Sequence, residues 1–452
     1  MTLYRFFEFV PAILAWSTLL IVVFASHYLP AAVAIFIILF DTYWLLKTIY
    51  LSLHLRYSFV RMRKYLKIDW LEKVKNLKLE EFSQPFSWEN VYHLVILPMY
   101  KEPHGVVKDS FTSLNRMNYP KDKFIVVLSA EERGGSEAKE VLKRIEGEFG
   151  QNFFKFMTTV HPADLPGELP GKGSHETWAA KEAKRLIIDP LGIDYDKILV
   201  SVFDVDTQVP PNYFGRLTYC FLTAENPQRS SYQPIPLFHN NIYEAPVLAR
   251  VVALSATFWH MMQQARPERL RTFSSHSMPF KALVEIGFWQ KDIVSEDSRI
   301  FWQCYLHYDG DWRVVPLFYP VSMDANVAPT FWGTMANIYR QQRRWGWGVE
   351  NISYLLHGFA RNKAIPFGRK LYWSFHEVEG FHSWATNSLI IFALGWLPIF
   401  LGGEIFNETI LSFSLPKITR TIMTLAMIGI ASSAILGLIL LPPKPDWFKR
   451  RH

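Results

Sequence analysis

Long apolar stretches at both ends of the chain constrain its fold more than anything between them. Residues 10–29 are apolar apart from small hydroxyl residues, His27 and a proline, and residues 31–53 are apolar apart from Asp41 and Lys47. Each approaches the ~20 residues that a helix needs to cross a hydrocarbon core. The second follows the first directly across Pro30, with no small-residue cleavage motif between them, so the pair reads as a transmembrane hairpin rather than a removable leader. Residues 384–401 and 418–441 form a second such pair.

Charge orients both pairs. Arg56, Arg61, Arg63, Lys64 and Lys67 follow the first, Lys444, Lys449, Arg450 and Arg451 follow the second, and the link at 402–408 carries Glu404 and Glu408. Basic flanks face the cytoplasm. The expectation is a multi-pass protein with four spans and with both termini and the whole middle of the chain cytoplasmic, at the plasma membrane in a prokaryote. It divides into two transmembrane helices (1–55), a basic interfacial segment (56–89), a soluble α/β domain (90–350), an interfacial helix region (351–382), two further transmembrane helices (383–442) and a basic cytoplasmic tail (443–452). Residues 57–75 and 368–381 mix basic and aromatic side chains. That pattern suits a helix among lipid headgroups, and equally a helix packed on the central domain.

Half of the residues are hydrophobic and 20% are charged, which excludes long disordered stretches. The net charge of +7 is not gathered into a basic, aromatic-studded run in the central part, so nucleic acid is not an expected partner. Cys220 and Cys304 are the two cysteines and form no C-x-x-C pair, so the sequence suggests neither a zinc site nor a disulfide framework and fits a reducing compartment.

Between about residues 90 and 345, short apolar runs alternate with helical periodicity, the pattern of an α/β sheet layered by helices. Strands are expected at 91–97, 123–129, 153–160 and 197–203. Helices are expected through Val107, Phe111 and Leu114, over 134–149 and over 175–188. Ligands of such sheets bind beyond the carboxyl ends of the strands. Those ends read Pro98-Met99-Tyr100-Lys101-Glu102, Ser129-Ala130-Glu131-Glu132 and Asp204-Val205-Asp206, and would bring carboxylates into one crevice.

Three clusters carry chemistry. Asp204 and Asp206 at the end of a buried strand would aim hard oxygen ligands at a divalent cation, Mg²⁺ or Mn²⁺, that shares substrate phosphates. The duller alternative is a polar turn. Ser295-Glu296-Asp297 opens a helix, where a carboxylate either caps the helix or takes a proton from a hydroxyl. In Gln341-Gln342-Arg343-Arg344-Trp345 an arginine suits a diphosphate and a tryptophan suits a sugar ring; a basic interfacial helix reads the same way. Gly171-Lys172-Gly173, ahead of a helix, suits a phosphate or a plain flexible loop.

Taken in order, these clusters resemble the family 2 glycosyltransferases of GT-A fold, in particular the membrane group related to cellulose and hyaluronan synthases. The resemblance runs from about Leu94 to Gly348. It implies a GT-A α/β domain flanked by N- and C-terminal transmembrane hairpins. It places the nucleotide-binding motif on Ile96–Glu102, with Pro98, Tyr100 and Glu102. It gives a donor contact to Lys172, the metal and donor motif to Asp204 and Asp206, the catalytic base motif to Glu296 and Asp297, and the diphosphate and acceptor motif to Gln341, Arg344 and Trp345. The second strand departs from the family, which ends it in a base-contacting aspartate; Glu131 is the substitute here. The implied reaction is inverting transfer from a nucleotide-sugar, commonly UDP-linked, to a lipid-linked or polysaccharide acceptor. His376, Glu377, Glu379 and His382 would line an acceptor entrance or form a solvated helix face. The competing class is a membrane protein that uses such a domain as a nucleotide-sugar sensor, which has no need of Asp297.

Overall fold

The computed structural model describes residues 2–81 and 83–448, so Lys449, Arg450 and Arg451 of the basic tail lie outside the described residues. The chain forms two compact units, one of residues 57–348 with 441–452 and one of residues 1–56 with 349–440.

Among the described residues, the first unit is built on seven strands: β1 (Tyr92–Met99), β2 (Phe124–Glu131), β3 (Lys155–His161), β4 (Ile198–Val202), β5 (Ser230–Phe238), β6 (Ser277–Pro279) and β7 (Arg313–Met323). They lie in the order β3-β2-β1-β4-β6-β5-β7. β1 pairs in parallel with β2 and β4, and β3 continues the parallel run beyond β2. Only the short β6 runs against its neighbours, so β5 and β7 point the same way as β4. Six strands therefore end at one edge. β2 and β4 are buried throughout and β1 over nearly its whole length, which is why they read as unbroken apolar runs. The helix His104–Asn115 buries Val107, Phe111 and Leu114, the face its spacing predicts, and Gly135–Phe149 buries Ala138, Leu142, Ile145 and Phe149.

Residues 57–75 divide into two parts. The helix Pro30–Tyr65 carries on past the expected end of the second span, and a separate helix, Trp70–Lys75, follows. Asp69 caps the latter by accepting the Glu72 amide at 3.1 Å. Trp70 and Val74 belong to the core of the α/β unit, so this end of the segment is a packed helix. The Arg216 guanidinium lies 4.4 Å from the Tyr65 ring centre and 4.3 Å from that of Trp70, and its Nε donates to the Leu317 carbonyl at 2.9 Å. Gly215 makes the approach possible, because a Cβ there would stand 2.8 Å from the Leu71 amide nitrogen. Gly215→Ala is expected to lower stability by about 1–3 kcal/mol through overpacking against backbone, read as a Tm loss of several degrees in thermal unfolding.

In the other unit, Leu3–Tyr28, Pro30–Tyr65 and Ile410–Leu440 are long and apolar enough to cross a membrane among the described residues. The expected third span is not one straight helix. Phe367–Phe392 begins well before it, and a 50° bend separates that helix from Leu394–Leu401. Pro398, the second residue of the short helix Leu397–Leu401, has no amide hydrogen to continue the ladder backwards. The stretch 368–381 is thus part of one long helix. Its polar residues point into the bundle: Lys47 Nζ meets Glu379 Oε1 at 2.5 Å, His382 Nε2 lies 2.9 Å from Thr18 Oγ1, and Glu377 is buried. Glu379 and His382 thus pair with the first two helices instead of lying on a solvated face.

Candidate active site

The helix Lys172–Ala183 starts on the lysine, directly after the extended Gly171. Lys172 Nζ lies 2.7 Å from Asp204 Oδ1 and 3.2 Å from Glu176 Oε1, one turn along its own helix. Burial pushes the ammonium down, but Asp204, Glu176 and Glu296 outweigh it and raise it well above the ordinary lysine range. Gly173 lets this helix start sit against the 290–297 segment, since a Cβ there would be 2.7 Å from the Gln290 carbonyl oxygen and 2.9 Å from Glu296 Cβ. Gly173→Ala is expected to push Lys172 and Glu296 apart and to lower turnover by about 10²-fold, the scale of a 1 Å misplacement, with folding retained; steady-state kinetics beside a melting curve checks both halves.

Asp204 and Asp206 stand just past β4, and the turn that carries them is tied down on several sides. The Thr207 amide donates to the Asp204 carbonyl at 2.9 Å, Ser110 Oγ donates to the Val205 carbonyl at 2.6 Å, and the Val209 amide donates to Ser113 Oγ at 3.0 Å. Asp204 Oδ2 accepts from Ser274 Oγ at 2.5 Å. Burial would raise the Asp204 carboxyl, yet Lys172, then Ser274 and Arg344, hold it below the ordinary aspartate range. Asp206 is pushed up to about 8 by burial, with Asp204 and Asp324 beside it. Its Oδ2 accepts from the Asp324 amide at 3.1 Å, while its Oδ1 is buried without a hydrogen-bond partner.

Glu296 and Asp297 form the first turn of the helix Glu296–His307. Asp297 Oδ1 accepts from the Ser298 amide at 2.8 Å, so it serves a local helix-end amide. It also belongs electrostatically to the Lys172 cluster. Burial raises its carboxyl, Lys172 and Arg344 draw it down, Asp204 raises it, and the net shift is upward. Glu296 is raised well above the ordinary range by burial, then by Asp297 and Glu176. Burial takes Glu176 up to about 7 against the pull of Lys172.

Gln341, Arg344 and Trp345 lie on the helix Phe331–Gly346, capped by Thr330. The Arg344 charge acts on both Asp204 and Asp297. Gln341 and Trp345, one turn apart, line a shallow recess with Asp324, Asn326 and Ile338.

The nucleotide-side candidates occupy the neighbouring strand ends. Pro98 is inside β1, which runs on to Met99. Glu102 Oε2 accepts from the Tyr100 amide at 2.6 Å, closing the turn after that strand. Gly134 fits beneath Tyr100, where a Cβ would fall 2.4 Å from the Tyr100 carbonyl oxygen. Glu131 ends β2 and is ion-paired with Arg133.

Lys172, Asp204, Glu296, Asp297 and Arg344 are thus brought into one electrostatic cluster, whereas Tyr100, Glu102 and Glu131 have partners of their own nearby. Glu176, Ser274 and Asp324 were not among the expected residues. The spacing of Glu176 four residues after Lys172 on a helix is a legible pairing signal; Ser274 and Asp324 reach the site from distant parts of the chain. No group of three or more His, Cys, Asp or Glu is placed to hold a metal among the described residues. The donor set is a pair of carboxylates with a buried, unpartnered Asp206 oxygen. It fits a hard cation that takes one or two carboxylates and completes its shell with water and phosphate.

Residues 199–435 match the glycosyl transferase family group 2. The chain belongs to this family. The matched stretch of the glycosyltransferase starts in β4 and takes in both aspartates, Glu296, Asp297 and the Gln341–Trp345 helix; Lys172 precedes it. No curated protein matches the sequence. Among solved structures, it is similar to a mannosyltransferase from Pyrobaculum calidifontis in complex with GDP-Man and Mn²⁺, at 14% identity over 86% of this chain and 98% of that one, with a TM-score of 0.47. It is also similar to S. aureus TarS 1–349 in complex with UDP-GlcNAc, at 12% identity over 80% of this chain and 97% of that one, with a TM-score of 0.40.

Proposed function

We propose that this glycosyltransferase is an inverting membrane enzyme of the cellulose and hyaluronan synthase group, which moves a sugar from a UDP-linked donor to a hydroxyl of a lipid-linked or polysaccharide acceptor. The observation that carries the reading is the contact of Lys172 with Asp204 and Glu176 inside a cluster that Glu296, Asp297 and Arg344 complete. A sensor that only bound the donor would have no need of a second carboxylate pair, Glu296 and Asp297, beside Lys172.

Asp297 takes the proton of the acceptor hydroxyl as its oxygen attacks the anomeric carbon. The bond from that carbon to the diphosphate breaks, and Lys172 and Arg344 hold the negative charge that develops on the leaving group. Trp345 presents a flat face to the acceptor sugar, and Gln341 beside it supplies an amide. Asp206, with its free oxygen, and Asp204 would hold a Mg²⁺ or Mn²⁺ ion, which when bound neutralises diphosphate charge. Glu131, Tyr100 and Glu102 would face the nucleoside at the adjoining strand ends. With the active site on the cytoplasmic side, the donor is drawn from the cytoplasm and membrane lipids surround the apolar helices.

The test is detergent-purified protein, Mn²⁺ or Mg²⁺ and a panel of nucleotide-sugars, with released nucleotide diphosphate as the readout. Turnover of at least one donor is expected, with its loss in EDTA and its return on adding Mn²⁺. An absence of turnover or hydrolysis with every donor would sink the enzyme reading, and full activity in EDTA would remove the cation from it.

A further inference from the structure

We propose that Asn240 is a positioning residue for Asp206 and Asp324, and that the segment Leu441–Phe448 following the last apolar helix is a strap that keeps Asn240 in place. The proposal rests on the reading of Asp206 as a cation ligand.

Asn240 sits just beyond β5, at the strand edge where the candidate site lies, and is bound on three sides. Its amide donates to the Met323 carbonyl at 3.1 Å. Its Nδ2 donates to the Asp206 carbonyl at 3.1 Å and to Asp324 Oδ1 at 3.1 Å. The neighbouring Asn241 repeats the grip one residue along: its Nδ2 donates to the Ala325 carbonyl at 3.1 Å and its Oδ1 accepts the Ala325 amide at 2.7 Å. The Asp324 amide in turn donates to Asp206 Oδ2. The turn after β4 meets the end of β7 directly, through the Asp324 amide on Asp206 Oδ2 and the backbone pair Gln208–Ser322, and the Asn240 side chain adds the bridge between the Asp206 carbonyl and the Asp324 carboxylate. Asp206 Oδ1 stays the buried oxygen without a partner.

The stretch holding Asn240 is itself held from the end of the chain. Tyr243 Oη donates to the Pro442 carbonyl at 2.6 Å. The Phe448 ring stands edge-on to Tyr243 with centres 4.8 Å apart, and its centre is 4.8 Å from the Arg250 guanidinium. Arg250 closes the 243–250 turn by donating to the Ala245 carbonyl at 2.7 Å and the Tyr243 carbonyl at 3.2 Å. Leu441 packs on the cluster of Ile242, Ala245, Ala249 and Ala325. An aromatic side chain clamped between a ring and a guanidinium is a specific seat. The seat is only three residues from Asn240.

Mn²⁺ binding to the detergent-purified full chain without donor, followed by the EPR signal of free Mn²⁺, separates the parts of this proposal. Asn240→Ala is expected to weaken Mn²⁺ binding by about 10–100-fold, the scale of losing an outer-shell partner. Phe448→Ala and Tyr243→Phe are expected to weaken it in the same direction, and Phe448→Tyr, which keeps the ring, to bind as the unaltered protein does. Should Phe448→Ala fail to fold, Tyr243→Phe, which removes one oxygen atom, carries the test of the strap. Unchanged affinity in Asn240→Ala overturns the positioning role. Weakened binding in Asn240→Ala alone, with Phe448→Ala and Tyr243→Phe unchanged, overturns the strap. Unaltered protein that turns over a nucleotide-sugar but binds no Mn²⁺ overturns this proposal and the cation, while the transferase reading stands; protein that does neither overturns the transferase reading itself.

Discussion

Asp297→Asn is expected to lower kcat by about 10²–10⁴-fold, the range of a lost general base, with the donor KM and the Tm close to those of the unaltered protein. The amide keeps the shape and the oxygen that accepts from the Ser298 amide, so the helix end should survive, and only proton uptake is removed. The pH profile adds a second readout. The Asp297 carboxyl is raised by burial, with Lys172 and Arg344 pulling against it. Only the ionised form accepts a proton. Activity should therefore be gained as pH rises through the raised pKa and lost as pH falls through it, giving an acid limb above the ordinary aspartate range. In Asp297→Asn that limb should vanish from the residual rate. A variant with kcat within tenfold of the parent and an intact acid limb would falsify the assignment of the base.

Much of the site was legible because it hangs on the strands that are easiest to read. β1, β2 and β4 are apolar runs buried on both faces, and their polar ends fall at one edge because the sheet is parallel there. The periodicity of the helix His104–Asn115 was equally plain. β5 was not legible, since Pro234 and Pro236 interrupt its pattern, and β6 has only three residues. Their pairing is decided by tertiary context instead of local preference. The same holds for the polar groups that finish the site. Asn240 and Asp324 are 84 positions apart, and Ser274 and Asp204 are 70 apart, distances at which no local pattern operates. The basic, aromatic stretch after the second span left two environments open because Arg61, Lys64 and Lys67 suit headgroups as well as water. Burial of Trp70 against Arg216 and Tyr219 decides for packing at its end.

Lys172→Met should show what that cluster demands of the lysine at its centre. The substitution keeps an unbranched side chain one atom shorter and removes the charge that contacts Asp204 and Glu176. The buried Glu176 and Glu296 are then left beside the half-buried Asp204 and Asp297, and leaving buried charge uncompensated costs at most about 3–5 kcal/mol. The loss should depend on pH in a definite sense. Glu176 is already up to about 7 and Glu296 well above its ordinary value, and without the lysine both should rise further. A carboxyl raised in the folded state favours folding fully below its unfolded pKa and loses that contribution as pH rises toward the folded one. Loss of the Lys172 pull on Asp204 costs stability at both pH values, and the raised glutamates add to it only as pH rises, so the deficit against the parent should be larger near pH 8 than near pH 5. Turnover should fall by about 10²-fold or more through weaker stabilisation of the departing diphosphate, and Lys172→Arg should recover stability better than rate, because the planar fork carries the charge but not the compact ammonium geometry. Melting curves at the two pH values, with kcat measured at the upper one, decide the matter. Equal Tm at pH 8 together with unchanged turnover would show that Lys172 neither balances the carboxylates nor meets the donor.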